Sequence, residues 1–213
     1  MMNRSLAVAL VFLAACAEDV GKDRNAAVVT DVPPPVEKPV EAPVAAADGA
    51  VKLQVATDRS KLGALGAKIT AQHPITFKDF TGEVGLEGEE VKGVAFVAQL
   101  GTLESDSARL TEHLKDADFF DVPNHPTATF KSTEIKAGSE AAGMTHTVTG
   151  ELTIRGTTKQ VVFPAKITVD AKQVEANTEF VVNRHDFGIT YPGKKDDAIQ
   201  DNVAIQVQFV ALR

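Results

Sequence analysis

The chain has 213 residues, of which 44% are hydrophobic and 24% charged, as expected for a globular protein with one domain of ordinary size and some additional segments. Its formal charge of −7 argues against nonspecific binding to nucleic acid, because contacts to phosphates need lysine and arginine. No segment reaches the roughly 18 consecutive apolar residues of a transmembrane helix.

The first fifteen residues have the pattern of an export signal. Arg4 supplies a positive charge, and Leu6–Ala15 is an apolar run of the length found in signal peptides. The run ends at Cys16, the only cysteine, and Leu13-Ala14-Ala15-Cys16 resembles the bacterial lipobox, in which the chain is cut before a cysteine that becomes lipidated. We therefore predict a lipoprotein signal peptide over residues 1–15. A plain secretory signal with an incidental cysteine, or a short buried helix, is the alternative.

Residues 16–50 are predicted to be the lipidated Cys16 followed by a disordered linker rich in proline and alanine. Five of the ten prolines fall in residues 17–50, which show no helix or strand period and cannot build a core. The predicted location is therefore the periplasmic side of the cell envelope, anchored to a membrane. Ala17 follows the cysteine where an Asp would favour the inner membrane, so the outer membrane is preferred, while Glu18 and Asp19 weaken that preference.

Residues 51–213 alternate between apolar and polar side chains with the period of half-buried β-strands. One segment differs: Leu110 and Leu114 lie four apart and follow Ser105, Asp106 and Ser107, any of which can serve as an N-cap. This predicts a short helix near residues 106–115. Gly156 predicts a hairpin turn between two of the clearest strands. The predicted strands lie at residues 51–56, 69–80, 91–100, 145–154, 160–169, 174–182 and 203–209.

A chain of such strands with one short helix forms a β-sandwich or an up-and-down barrel, and sequential hairpins favour an antiparallel barrel of about eight strands. A barrel of that size either fills its interior with side chains or holds one small ligand. The inward faces mix small residues with phenylalanines, which fits either an apolar ligand space or a tapering core. The small inward residues are Ala128, Ser132, Gly150, Ala165, Ala176 and Thr178.

No catalytic motif is recognisable, and we predict a protein that is not an enzyme and has no resident cofactor or metal. The five histidines, His73, His113, His125, His146 and His185, lack the spacing of a zinc site. The alternation points His146 inward, where a hydrogen-bonded interior or rim histidine is favoured over a metal ligand. A metal or haem-linked role for His146 with His73 or His185 is the weakest alternative.

Three segments closely resemble the YceI-like, polyisoprenoid-binding family. They are "HLKDADFFDVPNHPTATFKSTEI" (113–135), "VTGELTIRGTTKQVVFPAKI" (148–167) and "NRHDFGIT" (183–190), in the order and spacing of that family. The resemblance extends over residues 51–213. It implies an extended, lipocalin-like antiparallel barrel of about eight strands in the bacterial periplasm, with a long isoprenoid chain, such as a quinone tail, held inside.

The resemblance also implies that Phe119-Phe120 and the corner at Pro123–Pro126 pack the short helix near the mouth of a ligand tunnel. Two residue pairs usual in the family are replaced: a His-Ser pair by Arg59-Ser60, and an Arg-Asp pair before the His-Leu of the helix by Thr111-Glu112. The resemblance places both near the rim, so the family's headgroup preference is not carried over to this chain. The predicted tunnel-lining residues are Phe119, Phe120, Ala128, Phe130, Ser132, His146, Val148, Leu152, Phe163, Ala165, Ala176, Phe180 and Phe209.

The predicted function is that of a membrane-anchored periplasmic carrier for an isoprenoid lipid, with its polyprenyl or quinone tail held in the barrel by burial. The predicted partners are thus this lipid and the membrane, and a homodimer is compatible with the sequence. The alternative is a non-enzymatic interaction module of the envelope with a filled barrel.

Overall fold

The computed structural model describes residues 17–32 and 51–213. The predicted signal peptide, Cys16 and residues 33–50 of the predicted linker lie outside the described residues. The strands are β1 Val28–Asp31, β2 Val51–Gln54, β3 Lys61–Ala67, β4 Gln72–Phe77, β5 Phe80–Glu87, β6 Glu90–Gln99, β7 Leu103–Ser105, β8 Thr127–Ala137, β9 His146–Ile154, β10 Thr157–Val169, β11 Gln173–Asn183, β12 Gly193–Lys194, β13 Asp197–Ala198 and β14 Asn202–Leu212. One α-helix, α1 Ala108–Lys115, and three short 3-10 helices complete the described elements.

Twelve of the strands form one curled antiparallel sheet, eleven of them in the order β2-β5-β6-β8-β9-β10-β11-β14-β3-β4-β7, with β1 paired to β10. The sheet turns back on itself, because Val55 bridges to Ala211 and the Ala56 N–H donates to the Val210 carbonyl oxygen at 2.8 Å. Its concave face encloses the main hydrophobic core. The predicted all-β class with one short helix is confirmed at this level.

The prediction of about eight strands was wrong, since the sheet contains more. The first predicted strand, residues 51–56, corresponds to β2, which pairs with β5. After a 3-10 helix at Thr57–Arg59 comes β3, which was not predicted and which pairs with β14. Short strands that carry no readable alternation, such as β7 with three residues, add to the count. Among the described residues, no helix combines the length and the apolar character needed to cross a membrane.

The hairpin of β9 and β10 was predicted from the sequence and is present. Its turn residues Arg155 and Gly156 have positive φ angles of 51° and 70°, as in the tight turns that match the twist of two antiparallel strands. The Arg155 guanidinium extends from the turn and donates to the carbonyl oxygens of Ala117, at 2.7 Å, and Gly188. This side chain therefore connects the hairpin to the segment after α1 and to the 184–188 turn.

Residues 17–32 differ from the disordered linker predicted for residues 16–50, because they pack against the domain. Val20 is fully buried against Ala67, Val181 and Ala204. Further along, Ala26 forms a parallel bridge with Val181 of β11, and β1 pairs with residues 159–162 of β10. The β10–β11 pairing covers only residues 166–169 of β10, so this segment lies between the two strands where they diverge.

Gly150 of β9 lies beneath the ring of Phe130 in the wall of the sheet. A Cβ atom at Gly150 would lie 2.5 Å from Phe130 Cζ and 2.6 Å from the carbonyl oxygen of Lys131. A side-chain Cβ atom essentially never lies this close to a non-bonded atom, so either the Phe130 ring or the β8 backbone would have to move. The aromatic ring thus occupies the volume that the glycine leaves, and Gly150 does not itself provide free interior space.

We expect Gly150→Ala to lower the free energy of unfolding by about 1–3 kcal/mol, the usual cost of an overpacked core. Gly66→Ala is the matched control, because Gly66 is also a strand glycine and its added Cβ would meet nothing within 4 Å. That control is expected to be neutral or slightly stabilising. Urea unfolding of both variants measures the difference, and equal effects of the two substitutions would contradict the packing described for Phe130.

Candidate functional site

The curled sheet encloses a cavity of about 510 Å³, within the usual size range of small-molecule sites. Side chains from β3, β4, β6, β8, β9, β10, β11 and β14 line it, together with α1 and the segment at 184–199. Because alternate residues of each strand point inward, more than half of the buried residues of the main core also form the cavity wall. The cavity is therefore enclosed by strands from most of the sheet and not by a single loop or hairpin.

The inner wall of the cavity is apolar and rich in aromatic rings. The rings of Phe163 and Phe180 stack with centroids 4.0 Å apart and an angle of 8° between their planes. Phe130 packs against Phe163 at 5.6 Å, and Phe96 packs against Phe209 at 5.3 Å. Small side chains lie between these rings, so the wall offers a ligand little beyond van der Waals contact and shelter from water.

Most charged groups of the lining come from neighbouring elements, namely the β3–β4 turn, α1 and the β12–β13 hairpin, and we call this part of the lining the mouth of the cavity. The Lys68 Nζ lies 2.5 Å from Asp197 Oδ2, and His73 Nδ1 lies 3.0 Å from both carboxylate oxygens of Asp106. Arg109 and Lys194 are exposed, and neither has an ion-pair partner among residues 17–32 and 51–213. The mouth can therefore offer cationic donors to the polar end of an elongated ligand. The polar lining residues of the mouth are Lys68, His73, Ser107, Arg109, His113, Lys194 and Asp197.

The structure places eleven of the thirteen predicted lining residues on the cavity wall, and contact of these residues with a ligand stays a prediction. Phe119 is buried with Leu103, Leu114 and Ile189, while Phe120 meets Phe77 edge-on at 6.3 Å, so the doubled phenylalanine both packs α1 and faces the cavity. The eleven are Phe119, Phe120, Ala128, Phe130, Val148, Leu152, Phe163, Ala165, Ala176, Phe180 and Phe209.

Ser132 and His146 do not lie in the cavity lining. Ser132 is buried, but its hydroxyl accepts the Val94 N–H at 2.8 Å, beside a register shift in the β8–β9 pairing. His146 is the first residue of β9, and the cavity wall on that strand begins at Val148. Its Nδ1 lies 2.8 Å from the Thr145 hydroxyl, and partial burial lowers the pKa of the His146 imidazole. Alternation gives the strand face of both residues, but it does not show how far along the strands the cavity extends.

Many cavity residues were not identified from the sequence, including all of the polar residues of the mouth. His73 shares a strand face with Ile75 and Phe77, and His113 shares a helix face with Leu110 and Leu114. The periods of 2 and 3.6 carry this information, since both histidines lie at the spacing of their buried neighbours. The single tyrosine, Tyr191, packs against His113 at 5.2 Å and Phe119 at 5.3 Å, and local sequence gives no signal for this contact.

One group of potential metal ligands occurs among the described residues, and it differs from the histidine pairs considered from the sequence. Ligand atoms of His113, Asp116 and Asp118 lie within 4.8 Å of one another. His113 Nε2 already lies 2.8 Å from Asp118 Oδ2, a distance typical of a direct hydrogen bond. Because Asp116 is exposed, the simpler reading is a histidine held by a carboxylate at the end of α1.

Arg184 is a buried charged residue of the lining, at the start of the "RHDFGIT" segment. Its guanidinium donates to the carbonyl oxygens of Ile189, at 2.7 Å, and Gln200, at 3.0 Å, and to Asp201 Oδ1 at 3.2 Å. Burial lowers the pKa of Arg184, and Asp201 partly offsets this effect. The side chain thus fastens the loop over residues 184–201 across one side of the mouth.

Comparisons with known proteins agree with this architecture. A UPF0312 protein of Pseudomonas putida (strain W619) is 32% identical over 139 residues, which is 62% of this chain and 71% of that protein. The crystal structure of BcnA from Burkholderia cenocepacia matches with a TM-score of 0.66 at 23% identity, over 74% of this chain and 99% of BcnA. A polyisoprenoid binding domain from Saccharophagus degradans matches with a TM-score of 0.58 at 11% identity, over 76% of this chain and 98% of that domain.

The family model of the YceI-like domain matches residues 53–211, which include every strand from β3 to β13 and most of β14. The matched region contains all of the residues that line the cavity. The chain therefore belongs to the YceI-like domain family.

Proposed function

We propose that the protein binds an isoprenoid lipid in the cavity of its curled sheet and acts as a carrier or reservoir for that lipid. The observation that carries the proposal is the cavity of about 510 Å³, which runs between apolar walls and ends at a polar mouth. A polyprenyl or quinone tail has the matching character, with a long apolar chain and one polar end. The likeness in fold to a domain described as polyisoprenoid binding supports the same ligand class.

Burial of the apolar chain is the main source of affinity for such a ligand. At about 0.8 kcal/mol per CH₂ group, ten buried carbons contribute roughly 8 kcal/mol before the costs of ordering. The cost of ordering the ligand and the protein reduces this gain, and each further buried carbon of a longer chain adds to it. The apolar wall needs no catalytic group for this task, so binding is the proposed activity and catalysis is not part of it.

Export and anchoring belong to the same proposal. An apolar run followed by the lipobox-like Leu13–Cys16 supports a lipoprotein held on the periplasmic side of the cell envelope, with the outer membrane preferred. Two or more acyl chains at Cys16 would give stable anchoring, whereas one chain alone is marginal. A carrier held at a membrane has its ligand available in the adjacent bilayer.

Native mass spectrometry combined with lipid extraction tests the proposed ligand class. The full chain is produced in a bacterial envelope, purified in mild detergent and weighed under native and denaturing conditions. We expect a stoichiometric lipid with an isoprenoid chain that is released only on unfolding. A clean ligand-free mass that stays unchanged after incubation with quinones would contradict the carrier and favour an interaction module of the envelope.

A further inference from the structure

The described chain begins beside the mouth of the cavity. The Ala17 N–H donates to the Ile69 carbonyl oxygen at 2.8 Å, in the turn between β3 and β4. The Glu18 carbonyl oxygen accepts from the side-chain amides of Gln72, at 3.1 Å, and Gln200, at 3.3 Å. Three elements of the domain therefore hold the first described residues in one position.

Residues 17–27, here called the strap, are fixed by packing as well as by hydrogen bonds. Val20 is fully buried, and its N–H donates to Gln200 Oε1 at 2.8 Å. Arg24 donates to the Val20 carbonyl oxygen at 2.9 Å and forms an ion pair with Glu179 of β11. The position of Ala17 is therefore set by the domain.

The turn that receives Ala17 is part of the cavity rim. Lys68 and His73, on either side of this turn, both line the cavity. The Ile69 N–H donates to the Ala198 carbonyl oxygen at 3.1 Å, next to the lining residue Asp197. Ile69 itself leaves 44% of its surface exposed, which makes it one of the few large apolar side chains on the described surface.

We propose that this rim, formed by Ala17, the turn at 68–71 and the hairpin of β12 and β13, docks on a lipid bilayer so that the cavity opens toward the membrane. The inference rests on the proposed anchoring at Cys16. One residue spans at most about 3.6 Å, so acyl chains on the residue before Ala17 enter the bilayer next to the mouth. A freely disordered linker over residues 16–50 would have left the direction of the mouth undetermined.

The docked arrangement has a physical consequence for lipid transfer. An isoprenoid chain that leaves the bilayer would pass directly between two apolar environments, whereas each CH₂ group exposed to water costs about 0.8 kcal/mol. The rim carries charges of both signs, with Lys194 and Lys195 beside Asp196, and Glu18 next to Ala17. Docking is therefore expected through the acyl anchor and Ile69, with little dependence on anionic lipid.

The orientation can be measured with an environment-sensitive fluorophore at Ile69→Cys and, as the matched control, at Leu212→Cys. Leu212 is an apolar residue with 49% of its surface exposed, at the far end of β14, whose eleven residues span roughly 33 Å. The full chain is reconstituted in vesicles of phosphatidylethanolamine and phosphatidylglycerol that carry nitroxide-labelled acyl chains. We expect several-fold stronger quenching at position 69 than at position 212.

Equal quenching at the two positions, or stronger quenching at position 212, would overturn the docking proposal. Wild-type protein is treated with the same label, and labelling there would reveal an unmodified Cys16 and remove the anchor on which the proposal rests. Lipid retention is measured separately by native mass spectrometry. Retained lipid with equal quenching would refute docking alone, whereas strong quenching at position 69 without retained lipid would refute the carrier alone.

A second pair of variants tests the strap without touching the cavity. Val20→Asp places a carboxylate in a fully buried site, while Val28→Asp places the same group at a position that is 61% exposed. Val20→Asp is expected to release the strap and to reduce quenching at position 69 to the level at position 212, with the protein still bound to vesicles. Val28→Asp is expected to keep the wild-type difference, and an unchanged difference in Val20→Asp would contradict the role of the strap.

Discussion

Ala176→Trp is expected to abolish lipid retention and to leave the protein folded. Ala176 is a buried cavity residue of β11, opposite Phe209 on β14 and Ile167 on β10. An indole there would extend into the cavity, where free volume accepts it, so the cost to stability should stay within about 1–3 kcal/mol. Native mass spectrometry should find the variant without lipid, and urea unfolding should still show one cooperative transition.

The neighbouring residue provides the control. Asn177 follows Ala176 on the same strand and is exposed, so Asn177→Trp adds the same ring to the outer face of the sheet. This variant should keep its lipid. Full retention of lipid by folded Ala176→Trp would place the ligand elsewhere on the protein and would refute the cavity as the binding site.

Arg184→Met is expected to lower the free energy of unfolding by about 3 kcal/mol. The substitution keeps an unbranched apolar chain but removes the donors to the carbonyl oxygens of Ile189 and Gln200. A buried acceptor that loses its partner costs about 1–3 kcal/mol, and two are affected here. Because Arg184 fastens the 184–201 loop, the variant should also release its lipid faster.

Urea unfolding gives the stability change, with Arg59→Met as the matched control. Arg59 is an exposed arginine whose guanidinium donates to Gln173 Oε1 at 2.9 Å, so its loss should change stability by less than about 1 kcal/mol. A cost for Arg184→Met no larger than that of the control would show that solvent satisfies the two carbonyl groups. The buried hydrogen bonds would then not be what holds the loop.

The deep part of the cavity could be predicted because regular strands present every second side chain to one face. Phe163, Ala165, Ala176 and Phe180 lie on the wall at the alternation read from the sequence. Ser132 keeps the same register and is buried, but its hydroxyl accepts the Val94 N–H and the cavity does not extend to it, so alternation alone does not identify the lining. Bulges and strand ends depend on pairing between distant segments, which a single sequence does not display.

The mouth was less predictable than the wall because loops and ion pairs from separate parts of the chain form it. His73 contacts Asp106, Lys68 contacts Asp197, and neither pair is close in sequence.

The packing of the strap against the domain could not be predicted from the sequence for a different reason. The residues of the strap contribute one fully buried side chain, Val20, the ion pair of Arg24 with Glu179, and several backbone hydrogen bonds, so they carry no periodic pattern.

The position of residues 25–31 between β10 and β11 links the anchoring segment to the solubility of the domain. These residues satisfy backbone groups of Val181 on one side and of residues 159–162 on the other. A protein that began at residue 51 would present two unpaired strand edges there, a template for strand addition by a second molecule. Proteolytic removal of residues 17–31 would therefore be expected to free the domain from the membrane and, at the same time, to make it prone to self-association.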